Sequence, residues 1–233
     1  MKGQGIELPF RLLTPRSTDT GKYPLIIFLH GAFEKGNDNE RQLDIGGLFF
    51  VRDSIRKNYP AYVLFPQCPA NDAWVYFENT IDYTTGKASD WSFPFNKVPA
   101  TVTIVLKKLV DSLAATGKVD LSRIYIAGLS QGGMGVLDMV ARFPSLFAAG
   151  ISICGAGEPA TARLFAGKVP LWLFHGEQDD VVPVGFSREY AQRIKRYGGN
   201  VKYTEYPGIG HSSWVQAFAE PGLLSWLFSQ HKD

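Results

Sequence analysis

Three short runs of this chain carry residue types that could do chemistry. The first is Gly128-Leu129-Ser130-Gln131-Gly132, a serine between two glycines. Arg123–Ala127, just before it, is an apolar run, and Gln131–Arg142, just after it, has helical period. The serine therefore falls on a tight turn from strand to helix. Such a turn holds the hydroxyl clear of the backbone and needs small flanking residues. The helix that follows aims its N–H groups and positive dipole at developing negative charge. A Gly-rich turn alone is a weak signal; the placement between strand and helix gives it weight. No Gly-Lys-Ser/Thr follows, which excludes a P-loop, and the Gly-x-Gly-x-x-Gly spacing is missing too. The chemistry indicated is nucleophilic attack by Ser130.

A serine needs a base, and the chain has 4 histidines. His231 lies near the end. His30 and His175 each precede a glycine at the close of an apolar run, and both read as structural. His211, in Pro207-Gly208-Ile209-Gly210-His211, sits on a glycine-rich loop before the last helical stretch, so its imidazole has room to reach a serine. The base in turn needs a carboxylate to fix its tautomer and stabilise its cation. Phe174-His175-Gly176-Glu177-Gln178-Asp179-Asp180-Val181-Val182-Pro183 offers three. Spacing alone does not separate Asp179 from Asp180.

A tetrahedral intermediate needs two N–H donors. One is the backbone of Gln131, next after the serine. The other is expected from Phe28-Leu29-His30-Gly31-Ala32-Phe33-Glu34-Lys35-Gly36, where Gly31 allows close approach. The N–H of Ala32 is the candidate, with that of Phe33 as the alternative.

The elements that must hold these loops alternate along the chain. Strands are expected over Leu8–Leu13, Leu25–Leu29, Ala61–Phe65, Arg123–Ala127, Ala149–Cys154, Leu171–Phe174 and Val201–Tyr206. Helices are expected near 40–57, over Ala100–Thr116, Gln131–Arg142 and Val184–Tyr197, around Leu164, and over Ser213–Ser229 as the last. Arg16–Lys22 reads as a polar loop. Continuous apolar strands alternating with helices predict an α/β fold, a mostly parallel central sheet with helices on both faces. Residues 1–233 read as a single domain with an irregular, aromatic-rich insert at about 68–99. That insert holds Trp74, Tyr76, Phe77, Tyr83, Trp91, Phe93 and Phe95.

Composition narrows the classes. The chain has 233 residues, 45% of them hydrophobic, enough for one large core. Its 24 Lys+Arg against 22 Asp+Glu give a net charge of +2 and form no basic block, so no nucleic-acid partner is expected. Apolar stretches run to about five residues where a membrane span needs about twenty. Met1-Lys2-Gly3-Gln4-Gly5 carries no signal-peptide pattern, which is equally compatible with a trimmed precursor. The 2 cysteines, Cys68 and Cys154, exclude a disulfide scaffold, and Cys154 reads as a core residue. The histidines are scattered, so no metal site is expected.

Taken together, these runs resemble the α/β-hydrolases, and more narrowly their phospholipase/carboxylesterase branch. The order Ser130, Asp179, His211 is the α/β-hydrolase order. Tyr23–Ala32 followed by Glu34, Gly36 and Asp38-Asn39-Glu40, then Pro66-Gln67-Cys68-Pro69 and Gly128-Leu129-Ser130-Gln131-Gly132-Gly133, are similar to bacterial predicted-peptidase and polyhydroxybutyrate-depolymerase-like esterases. That group's acid motif, His-Gly-x-x-Asp-x-x-Val-Pro, fits His175 to Pro183 and selects Asp179. The sequence departs from the group at Phe33, where relatives usually carry glycine, and at Asp180, where many carry proline. Residues 74–95 match none of its motifs.

The resemblance implies a serine carboxylic-ester hydrolase with Ser130 as nucleophile, His211 as base, Asp179 as acid and Ala32 and Gln131 as oxyanion donors, working without metal or cofactor. The substrate expected is a small-molecule or carbohydrate-linked ester, with feruloyl or acetyl esters of plant polysaccharides as the first specific choice. Phe33, Trp74 and Trp91 are the candidate substrate-binding aromatics. A general short-chain carboxylesterase or thioesterase is the alternative. A serine peptidase and a non-catalytic binding protein are remoter readings. Oligomeric state and compartment are not indicated.

Overall fold

The structure, a computed structural model, describes residues 2–3, 5–16, 21–85, 88–96 and 98–232. A small antiparallel pair, β1 (Lys2–Gly3) and β2 (Ile6–Glu7), precedes the main sheet. The sheet strands that follow are β3 (Phe10–Leu13), β4 (Tyr23–Leu29) and β5 (Tyr62–Pro66). Between β4 and β5 run a 3₁₀ turn (Arg41–Leu43), α1 (Gly47–Phe50) and α2 (Asp53–Asn58). A hairpin, β6 (Glu78–Ile81) and β7 (Ala88–Ser92), stands apart from the sheet. Next come α3 (Thr101–Ala114), β8 (Val119–Leu129), α4 (Gln131–Arg142) and β9 (Ala149–Ile153). A 3₁₀ turn (Pro159–Leu164), β10 (Leu171–Gly176), α5 (Gly185–Arg196) and β11 (Val201–Tyr206) follow, and α6 (Trp214–Ala219) and α7 (Leu223–Phe228) end the chain.

The seven strands lie in the order β11-β10-β9-β8-β4-β5-β3, all parallel except β3, which runs antiparallel to β5. This is the mostly parallel, doubly covered sheet that the alternation predicts. The pleat explains the two cores. On β4, Leu25, Ile27 and Leu29 point to one face, with α3, α4 and α5. Ile26 and Phe28 point to the other, with α1, α6 and α7. The central strands are buried on both faces, which is why they read as unbroken apolar runs.

Three expected elements differ. The single helix near 40–57 is broken: Gly46 turns at φ 101° so close to Phe28 that a Cβ would stand 2.5 Å from its ring. The last helix divides in two, because Pro221 in Glu220-Pro221-Gly222 cannot continue α6. The insert at 68–99 is not wholly irregular; it holds the β6–β7 hairpin, and its weak pattern reflects strands that pair only with each other. Within the expected polar loop 16–22, residues 17–20 lie outside the described ones. Cys68 and Cys154 are both buried and free.

Because the strands run parallel, the loops after β4, β8, β10 and β11 all emerge at the same edge. That edge of an open α/β sheet is where ligands are bound.

Candidate active site

Ser130 joins β8 directly to α4, with φ 53° and ψ −122°, a conformation that non-glycine residues rarely hold. Its N–H donates to the Ile153 carbonyl at 2.8 Å, which anchors the turn to β9. The neighbouring glycines have no room for side chains. A Cβ on Gly128 would stand 2.5 Å from the Gly132 carbonyl oxygen, and one on Gly132 would stand 2.1 Å from that of Leu29. The turn is thereby pressed against the end of β4 and the loop that carries Ala32.

His211 reaches across from the loop after β11. Its Nε2 lies 2.9 Å from Ser130 Oγ, and its Nδ1 lies 2.8 Å from Asp179 Oδ2. The carboxylate can only accept, so Nδ1 carries the proton and Nε2 faces the serine as acceptor. The His211 side chain is 17% exposed, while that of Asp179 is fully buried. Asp180 faces solvent, so of the two neighbours it is Asp179 that meets the imidazole. Asp179 Oδ1 accepts the N–H groups of Val181 (3.0 Å) and Val182 (2.9 Å). Burial pushes the Asp179 carboxyl up. Hydrogen bonds from His175 and His211, the charge on His211 and the Val182 N–H outweigh it, and the group is held well below the usual carboxylate range.

Ala32 follows Gly31 on the loop after β4, and Gln131 opens α4. Among the described residues neither N–H has an acceptor. His30 fixes the base of that loop: its Nε2 accepts the Cys68 N–H at 3.0 Å, and its carbonyl accepts the Trp74 indole N–H at 3.0 Å. Both histidines expected to be structural are fully buried. His175 nevertheless lies 3.1 Å from Asp179 Oδ2, a contact the sequence reading did not foresee. Trp214 also escaped it; its ring stands edge-on to His211 at 5.6 Å.

The three candidate aromatics separate. Phe33 is 90% exposed on the Ala32 loop. Trp74 is 1% exposed, wedged against His30 and α4 with its N–H already bonded, so it offers no face to a substrate. This corrects the substrate-binding expectation for Trp74. Trp91 stacks on Phe93 at 5.8 Å and on Phe77 at 5.8 Å. With Val75, Met134, Ala156, Val182 and Phe186, these rings form a separate cluster beside α4 and the Asp179 loop. The insert therefore braces two of the site's supports.

Cys154, Asp179 and His211 bring ligand-capable atoms within 4.8 Å of one another. His211 Nδ1 and Asp179 Oδ2 are bonded to each other, and burial pushes the Cys154 thiol up, away from the thiolate that metals take. Chemically, the Ser130–His211–Asp179 chain can pass a proton from hydroxyl to imidazole and hold the resulting cation against a buried anion.

The profile of the phospholipase/carboxylesterase family matches residues 16–220. A protein of Arabidopsis thaliana named "Probable carboxylesterase SOBER1-like" is 25% identical over 212 residues, which are 84% of this chain and 76% of that protein. A poly(3-hydroxybutyrate) depolymerase of Ralstonia pickettii is 28% identical over 154 residues, 66% of this chain and 29% of that protein. Among solved structures, a thermostable esterase superposes with a TM-score of 0.86 at 36% identity, over 98% of this chain and 60% of that one. The chain thus spans less than two thirds of the depolymerase and of that esterase chain.

Proposed function

The chain belongs to the phospholipase/carboxylesterase family of the α/β-hydrolase fold, and from that membership we propose that it is a serine carboxylic-ester hydrolase working through an acyl-enzyme on Ser130. The observation that carries this reading is the position of His211, within hydrogen-bond distance of both Ser130 Oγ and Asp179 Oδ2.

Ser130 Oγ attacks the ester carbonyl as its proton passes to His211 Nε2. The carbonyl oxygen becomes an oxyanion held by the N–H groups of Ala32 and Gln131, aided by the N-terminus of α4. Asp179 stabilises the imidazolium and keeps its Nδ1 proton directed. The tetrahedral species collapses, the carbon–alkoxy bond breaks, and the His211 proton goes to the departing alcohol. Water then attacks the acyl-serine by the same route, releasing the acid and restoring the Ser130 proton.

For the substrate, we favour feruloyl or acetyl esters attached to plant polysaccharides, with short-chain carboxylesters or thioesters as the alternative. The exposed ring of Phe33 stands one residue from the oxyanion donor Ala32, where it can meet a hydroxycinnamoyl group. The rings of Phe77, Trp91 and Phe93 are engaged with one another.

The test is hydrolysis of methyl ferulate, p-nitrophenyl acetate and p-nitrophenyl palmitate by wild type and Ser130→Ala. Activity that vanishes in Ser130→Ala is expected, with methyl ferulate preferred and its KM raised in Phe33→Ala. Activity that survives Ser130→Ala overturns the mechanism; palmitate as the best substrate overturns the substrate assignment.

A further inference from the structure

Asp179 is gripped by two imidazoles, of which the proposed mechanism uses one. His175, at the end of β10, is fully buried. Its Nε2 lies 2.9 Å from the Val182 carbonyl and 3.1 Å from Asp179 Oδ2. Both partners can only accept, so Nε2 carries the proton. In the neutral imidazole Nδ1 is then an acceptor, and Ser187, buried on α5 with its Oγ 2.7 Å away, can donate its hydroxyl to it. Asp179 Oδ1 thus accepts from Val181 and Val182 and Oδ2 accepts from His211, while His175 Nε2, whose one N–H meets the Val182 carbonyl, stands 3.1 Å from the same Oδ2. A carboxylate held this way cannot rotate without breaking a buried hydrogen bond.

We infer that His175 is a positioning residue for the catalytic acid, fixing Asp179 Oδ2 toward His211 through an Nε2–H that Ser187 holds in place. The inference rests on the esterase reading above. A buried histidine with a purely structural role is already satisfied by Val182 and Ser187; the third contact, to Asp179, links it to the reaction.

The other groups near this pair are accounted for. Glu205 on β11 lies opposite His175 in register. Its charge is taken up by Arg188, at 2.9 and 2.6 Å, and by the Tyr203 hydroxyl. The Arg188 hydrogen bond, with that of Tyr203, holds the Glu205 carboxyl down to about 2. Cys154, beside Asp179, stays a neutral thiol because burial pushes it up.

The experiment compares wild type with His175→Phe, His175→Gln and Ser187→Ala. Each is followed by fluorophosphonate labelling of Ser130, by thermal melting, and by kcat, KM and their pH profiles on the best ester. In folded His175→Phe, kcat is expected to fall about tenfold to a hundredfold with KM little changed. The acid limb of the profile is expected to move to higher pH, because the unshared charge of Asp179 then holds the His211 proton more tightly. His175→Gln, which keeps an N–H donor at the same reach, is expected to recover most of kcat and return the limb. A folded His175→Phe with wild-type kcat, or with a limb unmoved or shifted down, overturns the inference. If His175→Phe does not fold, Ser187→Ala decides. Partial loss of kcat with an upward-shifted limb supports the inference, and an unchanged enzyme overturns it. Failure of the esterase reading shows separately, as wild type that neither labels at Ser130 nor hydrolyses esters; both then fall.

Discussion

Gly132 of α4 and Leu29 of β4 approach so closely that a Cβ on the glycine would stand 2.1 Å from the leucine carbonyl oxygen. This contact ties the serine turn to the loop bearing Ala32, the proposed second N–H donor, so the two halves of the site have one fixed separation. Gly132→Ala must push them apart. It is expected to cost about 1–3 kcal/mol in stability by overpacking and at least about tenfold in kcat by misplacing the donors. Denaturant melts and ester kinetics check both; a variant of wild-type stability and rate would show that the turn tolerates the shift.

The acid can be assigned by paired substitutions. Asp179→Asn keeps the shape but removes the charge facing His211 and disturbs its tautomer, a change expected to lower kcat by about a thousandfold or more. Asp180→Asn, on an exposed neighbour, is expected to leave kcat within about twofold. Equal losses in the two variants would contradict the geometry.

Stability should fall in mild acid through His30. Burial holds this imidazole down to about 4, against an ordinary value of 6.5. Its Nε2 accepts the Cys68 N–H, so a proton there would face a donor. Between those two values the unfolded chain takes up a proton that the folded chain refuses, so stability is full above about 6.5 and drains away as pH falls toward about 4. The gap amounts to about 3 kcal/mol. Urea midpoints at the two ends of that window should differ accordingly, and His30→Gln should flatten the difference. Asp179, whose carboxyl is depressed, adds its own loss only at still lower pH, below about 3.9.

Arg142, at the end of α4, pairs with Asp138 at 2.7 Å while both side chains are nearly buried. Its guanidinium also donates to the Asn96 carbonyl at 2.8 Å and lies 4.2 Å from the centre of the Phe95 ring. Arg142→Met strands the Asp138 carboxylate and releases the end of the insert, at an expected cost of about 3–5 kcal/mol. The double variant with Asp138→Leu should recover much of that loss. An additive double variant would show that the pair is not coupled.

Much of this molecule is readable without coordinates. The sheet strands announce themselves as apolar runs because parallel strands are covered on both faces. Gln131–Arg142 and Val201–Tyr206 begin and end where their periods do. Ser130 is marked by small flanking residues, a local steric requirement that a local motif can express. His211 stands out because so few histidines compete with it. The acid is different: Asp179 and Asp180 are neighbours, and residue types alone do not divide them. Only the fold buries one against His211 and leaves the other in solvent. Trp74 was equally beyond the sequence, since an aromatic among polar residues reads the same whether it meets a substrate or, as here, the core. His175 shows the limit most clearly. Its contact with Asp179 crosses from the end of β10 into the loop that follows, with no helical period, and its tautomer depends on Ser187 from a different element. Local pattern determined which residues could react. Tertiary packing decided which of them meet, because hydrogen-bond partners are selected by distance in space, and sequence spacing does not encode that distance once the chain turns.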